Sequence, residues 1–210
     1  MKDWNTRVKY VDHLSVLEII SRCSTSLLAF VARDIYSYAS SRGMKRKPSK
    51  CKELRIDFLQ CKPSDLPPLQ MSGSVIEQVS SYKLLGVHLS HNLSWSIHCD
   101  YIVKRARKRL YALRVLRKSG LPPADLIQVY CSLVRPILEF ASPVWAALPT
   151  CLVQLVEGVQ KSALRIILPD CSYESALVSC GLPTLLARRD EACRRFISNI
   201  KESGFLSHLL

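Results

Sequence analysis

No two of the nine cysteines, at positions 23, 51, 61, 99, 131, 151, 171, 180 and 193, lie close together. Their odd number and wide spacing argue against a disulfide framework. The closely spaced Cys and His pairs of zinc modules are missing as well; His88, His91, His98 and Cys99 come nearest and lack a second cysteine pair. Long apolar runs are absent. The longest uncharged window, 140–156, is shorter than a comfortable membrane span and contains Pro143 and Pro149. Nothing apolar follows Met1-Lys2-Asp3-Trp4-Asn5, so neither a signal peptide nor a transmembrane segment is expected. A chain without a membrane partner, in a reducing nuclear or cytoplasmic compartment, is the expectation. Acidic residues are scarce too: 17 Asp and Glu face 30 Lys and Arg, leaving a formal charge of +13. Such an imbalance favours a polyanion, and nucleic acid is the expected partner.

What is present is a sizeable core: 48% hydrophobic residues over 210 positions exclude global disorder. Residues 7–20, RVKYVDHLSVLEII, predict two short strands flanking Asp12-His13 in a tight hairpin. A helix is predicted over 25–41, where Leu28, Val31, Ile35 and Tyr38 recur at helical steps, with Gly43 placed to end it. The basic connection GMKRKPSKCKELRIDF then enters a strand near 54–58. Three prolines within 61–68 demand a loop. The Ser-Gly centre of LQMSGSVIEQV predicts a second hairpin, and YKLLGVHL, 82–89, a further strand.

Beyond Leu93 the pattern becomes helical. Helices are predicted from just after Ser94 to the Ser119-Gly120 stop, and over 123–146 (disturbed at Pro136 and Pro143), 151–168, 173–180 and 184–201. The expected class is therefore α+β, with an N-terminal domain over 1–92 and an all-helical domain over 93–210. Trp95 and Trp145 read as core anchors, and the cysteines as small buried hydrophobes.

Charge is segregated. Residues 42–55 hold seven Lys or Arg against Glu53, and residues 104–118 hold eight with no acid. In the second segment Ile102, Ala106, Leu110, Leu113 and Leu116 share one helical face. Lys104, Arg107, Lys108, Arg114 and Lys118 spread over the other side, around Tyr111. One side packs, and the other meets phosphates independently of base sequence. Lys45, Arg46, Lys47 and Lys52 of the first segment are candidates for the same role.

The order of Tyr10-Val11-Asp12-His13 on a hairpin, a helix, GMKRKPSKCK, a strand, YKLLGV and a basic helical region resembles the reverse transcriptases of non-LTR retrotransposons of the jockey-like, long interspersed element kind. LSWSIHCDYIVKRARKRLYALRVL, LIQVYCSLVRPILEFASPVW, LVEGVQKSALRII and SYESALVSCGLPTLLARRDEACRRF are similar to the region that follows the catalytic palm in those polymerases, so the likeness covers residues 7–200.

The resemblance implies a partial polymerase-palm sheet with one helix over 1–92, followed by a helical, thumb-like region. Asp12 matches the first Asp of the family's Y-x-D-D turn, a ligand of catalytic magnesium. The second position is His13, and imidazole is a poor substitute for carboxylate on that ion. Lys50 matches the lysine that donates a proton to departing pyrophosphate. Tyr82 to Val87, with Gly86, match the strand-turn that grips the primer end. The family's other essential Asp lies well upstream, whereas nine residues precede Tyr10. Two-metal phosphoryl transfer needs several carboxylates. The expectation is thus a truncated polymerase remnant, inactive alone but able to bind an RNA template, a DNA primer or nucleic acid at large. The alternatives are an active polymerase subunit completed by another chain, and a non-enzymatic basic module that binds nucleic acid or protein.

Overall fold

Residues 5–10, 13–20, 26–44, 48–57, 67–71 and 73–203 are described by a computed structural model. The chain forms two compact units, one running to Lys83 and including Ser90–Leu93, the other comprising Leu84–Leu89 and the chain from Ser94 onward.

The first unit begins with β1 (Asn5–Tyr10) and β2 (His13–Glu18), antiparallel from Asn5 opposite Glu18 to Tyr10 opposite His13. Val11 and Asp12 lie outside the described residues. Glu18, at the end of β2, then starts the next element. Its carboxylate accepts from the Leu27 N–H at 2.7 Å and from the Ser26 hydroxyl at 2.6 Å. That anchors helix α1 (Leu28–Ser41), whose first amides would otherwise lack acceptors. The buried stripe of α1 is Val31, Ile35 and Ala39; Tyr38, expected inside, is exposed and lies under the Arg42 guanidinium at 5.5 Å. Strict four-residue steps from Val31 select Ala39 instead.

Gly43, with φ +69, closes α1. Its N–H donates to the Ser40 carbonyl, and the Met44 N–H reaches back to Ala39. This is the paired bonding that a left-handed residue permits at a helix end. A tight helical turn (Pro48–Lys50) leads to β3 (Lys52–Leu54). A miniature antiparallel pair, β4 (Gln70–Met71) and β5 (Ser74–Val75), flanks Gly73, and β4 packs on α1. Then β6 (Glu77–Val79) lies parallel to β3.

The predicted single strand 82–89 is corrected: β7 (Ser81–Leu84) and β8 (Val87–Ser90) form a hairpin. Leu85 and Gly86 turn between them, with φ +46 and +96. Positive φ at both central residues matches the twist that a two-residue hairpin imposes on its strands.

The second unit is helical. Helix α2 (Ser96–Lys118) buries Cys99, Ile102, Val103, Ala106, Leu110 and Leu113. It packs along α5 (Thr150–Ile167), which contributes Val156, Val159, Ala163, Leu164 and Ile167. The stretch predicted as one disturbed helix is α3 (Pro123–Val129), a widened π turn (Tyr130–Val134) and α4 (Arg135–Glu139). Pro136 has no N–H to give the preceding turn, which widens accordingly. After Phe140 the chain reverses at Ala141 (φ +52) into a short 3₁₀ turn, Ser142–Trp145, whose indole is buried and donates to the Phe140 carbonyl at 3.0 Å. Helices α6 (Tyr173–Cys180) and α7 (Leu185–Ser203) complete the unit.

Buried polar groups join these helices. Gln160 accepts from the Tyr130 hydroxyl at 2.6 Å, and its amide donates to the Tyr173 hydroxyl at 3.1 Å and the Pro183 carbonyl at 3.0 Å. Tyr173 in turn donates to Glu157, whose carboxylate accepts from the Leu185 N–H that opens α7. Burial raises the phenol pKa of both Tyr130 and Tyr173. Both therefore remain donors. Among the described cysteines none is bonded to another; Cys99 is buried, which pushes its thiol up to about 11, whereas Cys151 and Cys171 are exposed. No helix among the described residues is long and apolar enough to cross a membrane.

Candidate nucleic-acid interface

The outer face of α2 is built by simple periodicity. Because Ile102, Ala106, Leu110 and Leu113 are buried, residues half a turn away are forced outward. Lys104, Arg107, Lys108, Arg114 and Lys118 are all exposed, and so are Arg105, Arg109 and Arg117, which the sequence pattern had not singled out. Asp100 is the one acid of the helix, a turn ahead of Lys104. Among the described residues none of these eight cations forms an ion pair. Arg105 is set apart, since its guanidinium lies 5.4 Å over the Tyr101 ring and donates to that hydroxyl. Asp100, Val103, Lys104, Arg107 and Lys108 line an open groove closed on the α5 side by Leu155.

The first basic segment differs from α2. Lys45, Arg46 and Lys47 lie outside the described residues, as does Asp12. Lys50 is exposed at the end of its helical turn. Lys52 pairs with Glu77 across the β3–β6 ladder, and Arg55 pairs with Glu53 at 2.6 Å while donating to the Pro67 carbonyl at 3.1 Å. Glu77, distant in sequence, and Glu53 within the segment thus offset part of its charge, while α2 keeps all of its own.

Tyr82 is half-buried in β7. Gly86 meets the Phe140 ring so closely that a Cβ there would stand 2.9 Å from Cε1. Glycine inside a strand-like run such as YKLLGV signals a bulge or a close backbone approach, and the structure shows the approach; that its partner is Phe140 was not legible in the sequence. His88 and His98 also belong to the second unit. The His88 backbone N–H donates to His98 Nδ1 at 3.3 Å, and the His98 ring lies edge-on to Trp145 at 5.3 Å. Burial, with His88 nearby, pushes His98 down to about 4. The Arg189 guanidinium is buried over Trp145 at 4.9 Å, and desolvation lowers its pKa. No three His, Cys, Asp or Glu side chains converge as metal ligands among the described residues.

The chain is similar to two proteins whose names mark them as a retrotransposable-element Pol polyprotein and a transposon RNA-directed DNA polymerase. Over 199 residues it is 27% identical to the retrovirus-related Pol polyprotein from type-1 retrotransposable element R1 4 of Nasonia vitripennis, a match covering 89% of this chain and 49% of that protein. Over 108 residues it is 29% identical to the probable RNA-directed DNA polymerase from transposon BS of Drosophila melanogaster, covering 50% of this chain and 12% of the relative. The chain therefore spans about half of one relative and a small part of the other. A family model described as the N-terminal part of alkylated DNA repair protein alkB homolog 8 matches residues 95–134, a minor share of the chain comprising α2, α3 and the turn after them. No solved structure matches.

Proposed function

We propose that these 210 residues supply a nucleic-acid grip belonging to a retrotransposon reverse transcriptase, with α2 holding the sugar–phosphate backbone. The observation that carries this reading is the set of eight exposed cations on α2, none of them in an ion pair among the described residues and with Asp100 the one acid of the helix. A charged face of this kind binds a phosphate chain by releasing its condensed counterions, and it does so without reading bases. In this reading residues 1–92 correspond to the end of a polymerase palm and 93–210 to a thumb-like helical region; the order of hairpin, helix, hairpin turn and basic helix supports it. The ligand is an RNA template with its DNA primer.

The chain does not add nucleotides by itself. Asp12 is followed by His13, and two-metal transfer calls for several hard oxygen ligands around magnesium. The residues present do not make that site, and Lys50 then has no pyrophosphate to protonate. A salt titration of binding to an RNA–DNA primer–template, run beside primer extension with the same protein, tests both statements. Affinity that falls steeply and log-linearly with salt, with no extension, is the expected result. Salt-independent binding overturns the grip, and extension abolished by Asp12→Ala overturns the inactivity.

A further inference from the structure

Tyr111 is 68% exposed, and no hydrogen bond, ring contact or overlying cation engages it among the described residues. Tyr101, ten positions earlier on the same helix, is covered by the Arg105 guanidinium and by the His88 ring at 4.6 Å. Exposing a bare aromatic face to water has no packing benefit for the helix. Its neighbours along the axis are particular. Lys108 and Arg107 stand three and four positions before it, Arg114 three after, and Lys104 and Lys118 seven to either side. These are the spacings that share one helical face, so the ring sits centrally in a strip of cations about 21 Å long. Val115, one turn further on and 42% exposed, extends the apolar floor.

From this arrangement we infer that Tyr111 is a base-stacking platform and that α2 binds an unpaired stretch of nucleic acid. The base of one nucleotide lies on the ring, the phosphate on one side meets Arg107 and Lys108, and the phosphate on the other meets Arg114. A closed duplex keeps its base faces inside the stack and offers none to the ring, whereas a single strand offers every one of them. The inference rests on the phosphate grip proposed above and adds the kind of strand that the grip takes.

The test separates the two. Affinities of the full chain are measured for a single-stranded oligonucleotide and for one of equal length with abasic sites, which keeps the phosphates and removes the bases. Wild type is expected to bind the abasic strand about tenfold or more weakly. Tyr111→Ala binds both alike, at wild-type affinity for the abasic strand and with an unchanged salt slope, while Tyr111→Phe keeps the discrimination. Alanine favours helix, and the site is on the surface, so circular dichroism should show an intact fold. Equal, strongly salt-dependent binding of both strands by wild type overturns the stacking and leaves the grip standing, as does discrimination that survives in Tyr111→Ala. Binding of neither strand overturns both.

Discussion

His98 shows how one buried side chain couples the fold to pH. Its Nδ1 accepts from the His88 backbone, so the ring proton sits on Nε2, which has no acceptor among the described residues. The neutral ring is tolerated there and the cation is not, which holds the pKa near 4 against 6.5 in the unfolded chain. Between those values the unfolded chain binds a proton that the folded one refuses, so stability rises with pH. The contribution is complete above about 6.5 and is lost as pH falls toward 4, a loss of order 3 kcal/mol at most. Urea midpoints measured across that window should drop in wild type. The drop should be shallower for His98→Asn, whose amide oxygen replaces the Nδ1 acceptor but does not titrate. Equal slopes for the two proteins would show that other groups govern the acid limb.

Gly86 is a second residue whose identity is fixed by its neighbours. It holds φ +96, and an added methyl would stand 2.9 Å from the Phe140 ring. Gly86→Ala therefore combines backbone strain with a steric conflict, each about 1–3 kcal/mol. Thermal unfolding should register the loss, and adding Phe140→Leu should recover the steric part but not the backbone part. If the double variant is no more stable than the single one, the ring contact is not the cause.

At the scale of elements, much was legible and the exceptions have physical reasons. The core stripe of α2 follows from side-chain spacing alone, and so does its cationic back; the glycine stops after α1 and α2 fall where left-handed residues sit. What sequence spacing did not show was long-range. Nothing near Lys52 announces Glu77, and two basic segments of similar charge became unequal once β3 paired with β6. The break at Leu85-Gly86 was hidden because YKLLGVHL has the apolar content of a continuous strand, while a turn depends on φ, which Leu gives no hint of adopting. Charge measurements should expose the inequality. Replacing Lys104, Arg107 and Arg114 by alanine should lower the slope of log affinity against log salt by about 0.7–0.9 per cation. Lys52→Ala should leave that slope almost unchanged, since its ammonium is already paired. Equal effects at the two sites would mean that the Glu77 pair dissolves on binding.

For the molecule as a whole, the two units differ in how much apolar surface their described residues bury. The second closes Leu110, Leu113, Leu126, Tyr130, Val134, Leu138, Trp145, Val156, Val159 and Leu164 almost completely, and the Tyr130–Gln160–Tyr173–Glu157 chain ties α5 to α6 and to the start of α7. In the first unit the buried apolar side chains among the described residues are Val31, Ile35, Ala39, Met71 and Ile76, while Leu17, Ile19 and Phe30 are 57%, 66% and 61% exposed. Large apolar groups left in water withhold the burial that must offset chain entropy, so the first unit has less to resist opening with. Native-state hydrogen exchange should accordingly show the buried amides of α2 and α5 exchanging only on opening of the whole second unit. Amides of α1 and of the β1–β2 hairpin should exchange earlier, through smaller openings. Leu113→Ala, by the cavity it leaves in the α2–α5 seam, should speed exchange throughout the second unit by the equivalent of about 2–5 kcal/mol. It should leave the α1 amides at their wild-type rates if the units open independently. Acceleration of α1 by the same factor would mean that the chain opens as one cooperative body, and that the stability of the α2 face and of the β1–β2 hairpin cannot be altered separately.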